Sequence, residues 1–555
     1  ARRKCSSFVP MKKSASRPRQ HAGNLGRFPR AGRGLSPPLP GEATSRLRRI
    51  AGSPGISQEL PLSFVRLPES PIRCKNLVGG AFVDVVTKDT IPVTSPWTGA
   101  VIGEVPMSRA ADVDTAVALA KKASVGWAAT PLRERCQVLY RFRDLVLRDL
   151  EMLAHRAASE AGKTVAEARA GILKGVEVTE FATALQNIPG GSVMEVSRGV
   201  SCEIRREPLG VVAGIVPFNF PAMVPLWMIP NALALGNSFV LKPSEKVPLT
   251  AQLLGALLAE AGLPEGVFSL VNGGVEAVDT ILDHPDIQAV GFVGSTAIAR
   301  KVYERGSKAG KRVLALGGAK NHLIVTPDAD VDMTARAVLD SFTGCAGQRC
   351  MAASVLLAVG DIEPVLAKVE ELAKNLALGS GMGAIIDRGA LERLEAAIGR
   401  AEGEGAKLLV DGRGKKPSDS SYTGGNWLGA TLLDGVRPDS EAGCQELFGP
   451  ILAVVRVKNV TEALQIENAN RYGNACSVFT TNGAVAEAVA AGAKAAMIGV
   501  NVGVPVPREP FSFGGMGESK FGHGDITGPS SIDFWTHNKK ITRKWAPQDD
   551  QNWMS

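Results

Sequence analysis

The chain has 555 residues, of which 45% are hydrophobic and 21% are charged, a composition that indicates a folded protein and excludes general disorder. Its length allows two or three domains with sizeable cores. The net charge of +8 is unevenly placed: residues 1–75 hold 16 Lys and Arg against 3 acids, whereas 76–555 have a net charge of −5. Because this larger part is mildly acidic, the overall charge does not indicate nucleic-acid binding.

The first 75 residues are predicted to be a leader that precedes the folded body. Glu42 is the first acid, and Arg, Ser, Pro and Gly recur before it. An Arg-rich, Ser-containing and acid-poor segment is typical of an organelle transit peptide, with the mitochondrion as the first choice and the plastid as the second. A disordered basic tail is the alternative interpretation. The segment lacks the apolar core of a secretory signal.

From residue 76 onward, helix and strand signals alternate along the chain. Apolar residues at helical spacing predict helices over 112–128 and 133–161, and alternating residues predict a hairpin over 190–210. Four short β-branched strands follow, with helices between them, which predicts a parallel sheet with crossover connections. These strands are predicted at 211–216, 238–241, 267–271 and 288–293.

A second α/β region is predicted from about residue 320 to residue 500. It begins with a strand at 322–326, a helix at 330–343 and a strand at 353–359, and the segment after 500 is extended and rich in proline. The apolar stretch 218–241 imitates a membrane span, but its prolines and asparagines favour a buried strand–helix–strand unit. We therefore predict no membrane segment.

The cysteines and histidines of the sequence bear on whether the protein binds a metal or uses a thiol as a nucleophile. The eight cysteines include no CxxC pair, and the six histidines are scattered, so no metal site is predicted. Cys350 lies between a predicted helix and a predicted strand, where a thiol can project into a cleft as a nucleophile. An inert buried cysteine is the alternative for such a residue taken alone.

Eight short strings carry a resemblance to a known family. The chain contains, in order, FNFPAMVPLWMIP, LKPSE, FVGST, GAKNH, GQRCMA, ELFGP, YGNACSVFTTNGA and GVNVGVPVP. In this order they resemble the aldehyde dehydrogenases over nearly all of 76–545. The first, fourth and fifth strings most closely resemble the CoA-acylating methylmalonate-semialdehyde dehydrogenase branch of that family.

The resemblance implies an α/β fold with three parts: a Rossmann-type NAD domain, an α/β catalytic domain and a bridging β element that supports oligomerisation. The NAD domain is predicted at 76–325, with its bridging hairpin at 190–210, and the catalytic domain at 326–500. A C-terminal bridging segment is predicted at 501–545, followed by a tail at 546–555. By the same resemblance, we expect a homo-oligomer, either a dimer or a tetramer.

The resemblance also implies a set of site residues. Cys350 matches the nucleophile, and Asn219 matches the amide that stabilises the oxyanion together with the Cys350 N–H. For Asn219 alone, a turn residue is the alternative, and for Lys242 and Glu245 the alternative is a pair of surface charges. The positions that match NAD-binding residues are Pro217, Phe218, Lys242, Glu245, Gly294, Ser295, Glu446 and Phe448.

Departures from the family pattern concern the acyl acceptor and the substrate. Hydrolytic relatives carry a water-activating Glu four residues before the Lys of GAKNH, but this chain has Leu316 there. Leucine cannot accept a proton, so coenzyme A is the expected acyl acceptor. Arg349 and Lys174 are predicted to bind a substrate carboxylate. Lys174 stands where the family usually has Arg, so it keeps the charge and loses the bidentate geometry.

The predicted function is therefore NAD-dependent, CoA-acylating oxidation of malonate or methylmalonate semialdehyde, with decarboxylation, in valine and pyrimidine breakdown. The first alternative is a hydrolytic aldehyde dehydrogenase that releases a free acid, and the second is a non-catalytic homologue. The expected partners are a small semialdehyde substrate and further copies of the chain, with neither nucleic acid nor membrane.

Overall fold

Short, largely buried strands and intervening helices alternate through a computed structural model that describes residues 65–85, 87–188 and 190–545. The strands are β1 (Ile72–Arg73), β2 (Asn76–Val78), β3 (Ala81–Val83), β4 (Thr90–Thr94), β5 (Val101–Pro106), β6 (Gly191–Ser197), β7 (Val200–Pro208), β8 (Val211–Ile215), β9 (Ser238–Lys242), β10 (Phe268–Leu270), β11 (Ile287–Val293), β12 (Arg312–Leu316), β13 (Asn321–Val325), β14 (Ala353–Val359), β15 (Lys407–Val410), β16 (Thr431–Asp434), β17 (Ile451–Val457), β18 (Tyr472–Gly473), β19 (Ala475–Phe479), β20 (Met497–Val500), β21 (Met516–Gly517), β22 (Lys520–Phe521) and β23 (Thr536–Lys544).

The α-helices connect these strands and cover the sheets. They are α1 (Ala110–Ala129), α2 (Leu132–Arg148), α3 (Leu150–Ala161), α4 (Val165–Ala184), α5 (Met223–Ala234), α6 (Pro248–Glu260), α7 (Val275–Asp283), α8 (Thr296–Lys308), α9 (Val331–Thr343), α10 (Glu363–Lys374), α11 (Arg388–Gly403), α12 (Glu441–Cys444), α13 (Val460–Ala469), α14 (Gly483–Gly492) and α15 (Gly528–Trp535). Short 3-10 helices lie at Leu185–Asn187, Gly344–Gly347 and Ser420–Tyr422.

The first large sheet has the strand order β22-β12-β11-β8-β9-β10-β2-β3. Strands β12, β11, β8, β9 and β10 run parallel, and every residue of β8 and β9 is buried. Burial on both faces explains why these strands read as continuous apolar runs. Parallel pairing brings the carboxyl ends of the strands to one edge, with Ile215 opposite Lys242. This is the predicted Rossmann-like arrangement, and the α/β fold class is confirmed.

The second large sheet has the order β15-β16-β17-β14-β13-β19-β20 and is parallel except at β15. Its strand β13, between β14 and β19, begins at Asn321, so the chain changes sheets just before the predicted domain boundary at 325. The buried turn that joins β12 to β13, residues 317–320, connects the two sheets next to the cleft described below.

The predicted hairpin over 190–210 is confirmed as β6 and β7, and β23 from the C-terminal segment joins it to form a three-stranded antiparallel sheet. Pairing runs from Thr536 opposite Pro208 to Lys544 opposite Val200. All seven residues of β6 are exposed at the free edge of this sheet. Whether this edge meets another copy of the chain stays a prediction.

The prediction of one continuous helix over 133–161 is wrong. The structure has two helices there, α2 and α3, because the chain leaves helical geometry at Asp149. The Arg148 guanidinium pairs with Asp149 at 2.6 Å and with Glu260 on α6 at 2.5 Å. Apolar residues keep helical spacing on both sides of this break, so the amphipathic pattern alone could not locate it.

The predicted leader lies almost wholly outside the described residues, and the predicted tail lies entirely outside them. In the part of the chain that the structure describes, no helix combines the length and the apolar character needed to cross a membrane.

Candidate active site

A cavity of about 1420 Å³ lies where the first sheet faces the segment 344–352 of the second α/β region. It opens at the carboxyl ends of β8, β9 and β11, the edge where parallel α/β sheets commonly bind ligands. The structure thus brings together ten of the twelve predicted site residues. The ten that line the cavity are Pro217, Phe218, Asn219, Lys242, Glu245, Gly294, Ser295, Cys350, Glu446 and Phe448.

The loops after β9 and β11 form what we call the cofactor wall, residues 242–246 and 294–296. Lys242 is 5% exposed, and its Nζ lies 3.0 Å from a Glu245 carboxylate oxygen. Gly294 packs so closely on Phe292 that a Cβ there would lie 2.5 Å from the ring. The missing side chain leaves the N-terminus of α8 open to the cavity, as anion binding at a helix N-terminus requires.

Glu446 reaches the cavity from the second α/β region. One carboxylate oxygen accepts the Ala319 N–H at 2.9 Å, and the other lies 2.3 Å from where a Cβ on Gly318 would be. Burial raises the pKa of Glu446 to about 7. Beside it, Phe448 has φ of 63°, a conformation that costs energy for a side chain of this size, and its ring meets Phe218 edge-on at 5.8 Å.

The surroundings of the Cys350 thiol favour its protonated form. Burial, with the nearby Glu446 charge, raises its pKa to about 12, although the N–H groups of Cys350 and Met351 act in the opposite direction. The thiolate is the reactive form, so catalysis requires that the sulfur lose its proton when substrate is bound.

Two asparagine side chains fix the backbone of Cys350. Asn321 Nδ2 donates to the Cys350 carbonyl at 2.7 Å, and Asn474 Nδ2 donates to the same oxygen at 2.8 Å. Sequence reasoning missed this role, although both residues lie within the strings GAKNH and YGNACSVFTTNGA. The available signal was that each of these two strings contains an asparagine, whose short amide side chain can bind a nearby backbone carbonyl.

The segment before the thiol makes an unusual turn. Cys345 and Ala346 both have φ of 53°, and Gly347 follows with φ of 67°. A Cβ on Gly347 would lie 2.1 Å from the Gly449 carbonyl oxygen, so only glycine fits this contact. Segment 344–352, with the asparagines that support it, is called the thiol wall below.

Asn219 lies at the end of the cavity next to the thiol wall. It is 7% exposed, and its Nδ2 donates to the Gln348 carbonyl at 2.9 Å. The Gln348 side chain in turn accepts the Ile386 N–H at 3.0 Å. The Asn219 amide is thus fixed against the backbone of Gln348, which lies two residues before Cys350 in the chain. This position suits the predicted oxyanion donor.

The two predicted carboxylate-binding cations do not line the cavity. Lys174 Nζ donates to Glu177 at 2.9 Å and to the Pro507 carbonyl at 2.9 Å. Arg349 donates to the Asp340 carbonyl and, at 3.0 Å, to the Ser341 carbonyl near the end of α9. In this structure both cations are therefore engaged by protein oxygens, and their role toward substrate stays a prediction.

Leu316 ends β12 with its side chain buried, and its carbonyl accepts the Gly294 N–H at 3.1 Å. The position expected for a water-activating carboxylate in hydrolytic relatives is therefore apolar. Within residues 65–85, 87–188 and 190–545, no group of three His, Cys, Asp or Glu side chains could hold a metal ion.

A dinucleotide-sized cleft with a half-buried thiol, between two largely parallel sheets, is the arrangement of a dehydrogenase that forms a covalent intermediate on cysteine. Sequence comparison identifies the family. The sequence model of the Aldehyde dehydrogenase family matches residues 82–541. The chain therefore belongs to the aldehyde dehydrogenase family of oxidoreductases.

Within this family, the chain is similar to several semialdehyde dehydrogenases. The chain is 40% identical to malonate-semialdehyde dehydrogenase of Halalkalibacterium halodurans, over 85% of this chain and 98% of the relative. It is 41% identical to the human protein named methylmalonate-semialdehyde/malonate-semialdehyde dehydrogenase [acylating], mitochondrial, over 86% and 90% of the two chains. A Sinorhizobium meliloti structure, described as a methylmalonate-semialdehyde dehydrogenase complexed with NAD, superposes with a TM-score of 0.85. It is 39% identical, over 87% of this chain and all of that one.

Proposed function

We propose that this protein is an NAD-dependent, CoA-acylating dehydrogenase of malonate or methylmalonate semialdehyde that acts through a thioester on Cys350. One observation carries the proposal: the thiol lines a dinucleotide-sized cavity, and the position that matches the water-activating carboxylate of hydrolytic relatives is the buried Leu316, next to the lining residue Gly317. The names of the relatives support the same substrate class, and the acylating name of the human relative supports coenzyme A as acceptor.

The cavity suits NAD on grounds of shape and polarity. Side chains at Gly294 and Gly318 would fill space beside the helix N-terminus and the Glu446 carboxylate. We infer that Lys242 and Glu245 bind the adenosine ribose, and that Glu446 binds the nicotinamide ribose. When bound, NAD supplies a hydride acceptor.

The first half of the reaction creates the thioester. The Cys350 sulfur loses its proton and forms a bond to the aldehyde carbon, while the carbonyl oxygen becomes an oxyanion. The Asn219 amide and the Cys350 N–H stabilise that oxygen. When the oxyanion collapses to a carbonyl, a hydride leaves the same carbon, and an acyl group remains on the sulfur.

The second half removes the acyl group. A carboxylate β to the new thioester carbonyl can leave as carbon dioxide, because the thioester accepts the electron pair and the resulting carbanion then takes a proton. The coenzyme A thiolate attacks the thioester carbon, and the Cys350 sulfur leaves and regains a proton. Leu316 cannot activate water, so hydrolysis competes poorly with this transfer.

The expected products are acetyl-CoA from malonate semialdehyde and propionyl-CoA from methylmalonate semialdehyde, which fits valine and pyrimidine breakdown. Lys174 and Arg349 are the proposed partners of the substrate carboxylate. A mitochondrial location and a homo-oligomer, dimer or tetramer, belong to the same proposal.

The test compares malonate semialdehyde and NAD with and without coenzyme A, following NADH by absorbance and acyl products by mass. We expect acetyl-CoA with coenzyme A, and without it a burst of NADH that stops near one equivalent per active site. Steady release of a free acid at a rate independent of coenzyme A would instead establish the hydrolytic alternative. No NADH with any short semialdehyde, in fully reduced protein, would favour a non-catalytic homologue.

A further inference from the structure

Four charged side chains lie together where α4 meets the loop 504–510. Glu177 on α4 accepts Lys174 Nζ at 2.9 Å and the Glu509 N–H at 2.8 Å through one oxygen. Its other oxygen lies 3.3 Å from Arg508. We call Lys174, Glu177, Arg508 and Glu509 the charge cluster.

The two chain segments that carry the charge cluster lie near residues that line the cavity. On α4, a Cβ on Gly171, one turn before Lys174, would lie 3.3 Å from the ring of Phe220, which lines the cavity. On the loop side, Phe513 stacks on Trp227, another lining residue, at 4.5 Å. The four side chains of the cluster do not line the cavity themselves, but the helix that carries Lys174 packs on a residue that does.

The Lys174 charge is already compensated in this structure. Its side chain is 18% exposed, and it donates to both the Glu177 carboxylate and the Pro507 carbonyl. A second carboxylate, Glu509, contributes an oxygen that is buried without a hydrogen-bond partner. A substrate carboxylate must therefore compete with an internal carboxylate for the same ammonium group.

Resting on the proposed function, we propose that Glu177 is a specificity-determining residue that competes with the substrate carboxylate for Lys174. When Lys174 turns to substrate, Glu177 keeps the Glu509 N–H and Arg508 as partners. The exchange weakens binding of carboxylate-bearing aldehydes and leaves neutral aldehydes unaffected. Glu177 acts through Lys174, so it is a positioning residue with no contact to the reacting atoms.

The experiment measures KM and kcat of Glu177→Gln for malonate semialdehyde and for propanal, a neutral aldehyde of similar size. We expect KM for malonate semialdehyde to fall about fivefold, with kcat within about twofold and KM for propanal unchanged. The matched control is Glu180→Gln on the same helix, whose carboxylate pairs with Arg143 at 2.7 Å outside the cluster; both KM values should stay the same.

A second variant keeps the proposal testable if Glu177→Gln fails to fold. Arg508→Gln removes the alternative partner of Glu177, so the exchange becomes costlier and KM for malonate semialdehyde should rise about threefold, again without effect on propanal. An unchanged or higher KM for malonate semialdehyde in Glu177→Gln overturns the inference. Wild-type protein that does not oxidise malonate semialdehyde at all instead overturns the proposed function.

Discussion

The cofactor wall and the thiol wall face the same cavity but are built differently. The cofactor wall is shaped locally, by strand ends and by Gly294, where a side chain has no room. The thiol wall depends on distant groups, because Asn474, 124 residues from Cys350 in the chain, holds its carbonyl. A wall made by local backbone shape tolerates change outside its motif, whereas one held by remote side chains can lose its geometry through a single distant substitution.

The largest expected effect concerns the thiol itself. Cys350→Ala should lower NADH formation at least about 10³-fold, because Cys345, the other thiol of the thiol wall, is buried and does not line the cavity. NAD binding, measured by fluorescence titration, should change less than about twofold, since the cofactor wall is untouched. Cys202→Ala, a partly exposed thiol on β7, is the control and should keep full activity. Turnover by Cys350→Ala would refute the thioester mechanism.

An intermediate effect should separate the two walls more sharply. Asn474→Ala removes one of two donors to the Cys350 carbonyl, so we expect kcat to fall about tenfold while KM for NAD stays within about twofold. Steady-state kinetics at saturating coenzyme A measure both values. Asn468→Ala is the matched control, because its amide donates to the Gly492 carbonyl at 2.9 Å and not to the Cys350 carbonyl. A larger change in KM for NAD than in kcat would contradict the division into two walls.

The smallest effect is a pH dependence at the cofactor end. Burial raises the pKa of Glu446 to about 7, so this carboxyl is mostly neutral at pH 6 and mostly charged at pH 8. A charged carboxylate accepts ribose hydroxyl hydrogen bonds more strongly, and we expect Kd for NAD to fall about threefold between these pH values. Calorimetric titration of wild type and Glu446→Gln checks this, since the variant should bind NAD with little pH dependence. The same slope in both proteins would assign the titration to another group.

The same contrast explains how much of the molecule could be predicted from sequence. Strand and helix alternation and the hairpin follow from local patterns. The residues of the cofactor wall follow from the family resemblance, and ten of the site residues it implies meet in one cavity. The break at Asp149 escaped prediction because the apolar spacing continues across it.

Other features depend on side-chain partners that lie far apart in the chain. The hydrogen bonds of Asn321 and Asn474 to the Cys350 carbonyl cross strand connections that sequence patterns do not position. The partners of Lys174 show the same limit: Glu177 is one helical turn away, but Pro507 lies 333 residues further along the chain.

The contact between Gly347 and Gly449 has a mechanical consequence. Main chain meets main chain there with no room for a methyl group, so no flexible side chain can absorb a movement at this point. Gly449 directly follows Phe448, so the turn before Cys350 touches the segment that carries this lining residue of the cavity. The distance between the turn before Cys350 and the backbone at Gly449 is therefore set by main-chain contact and does not depend on side-chain conformation.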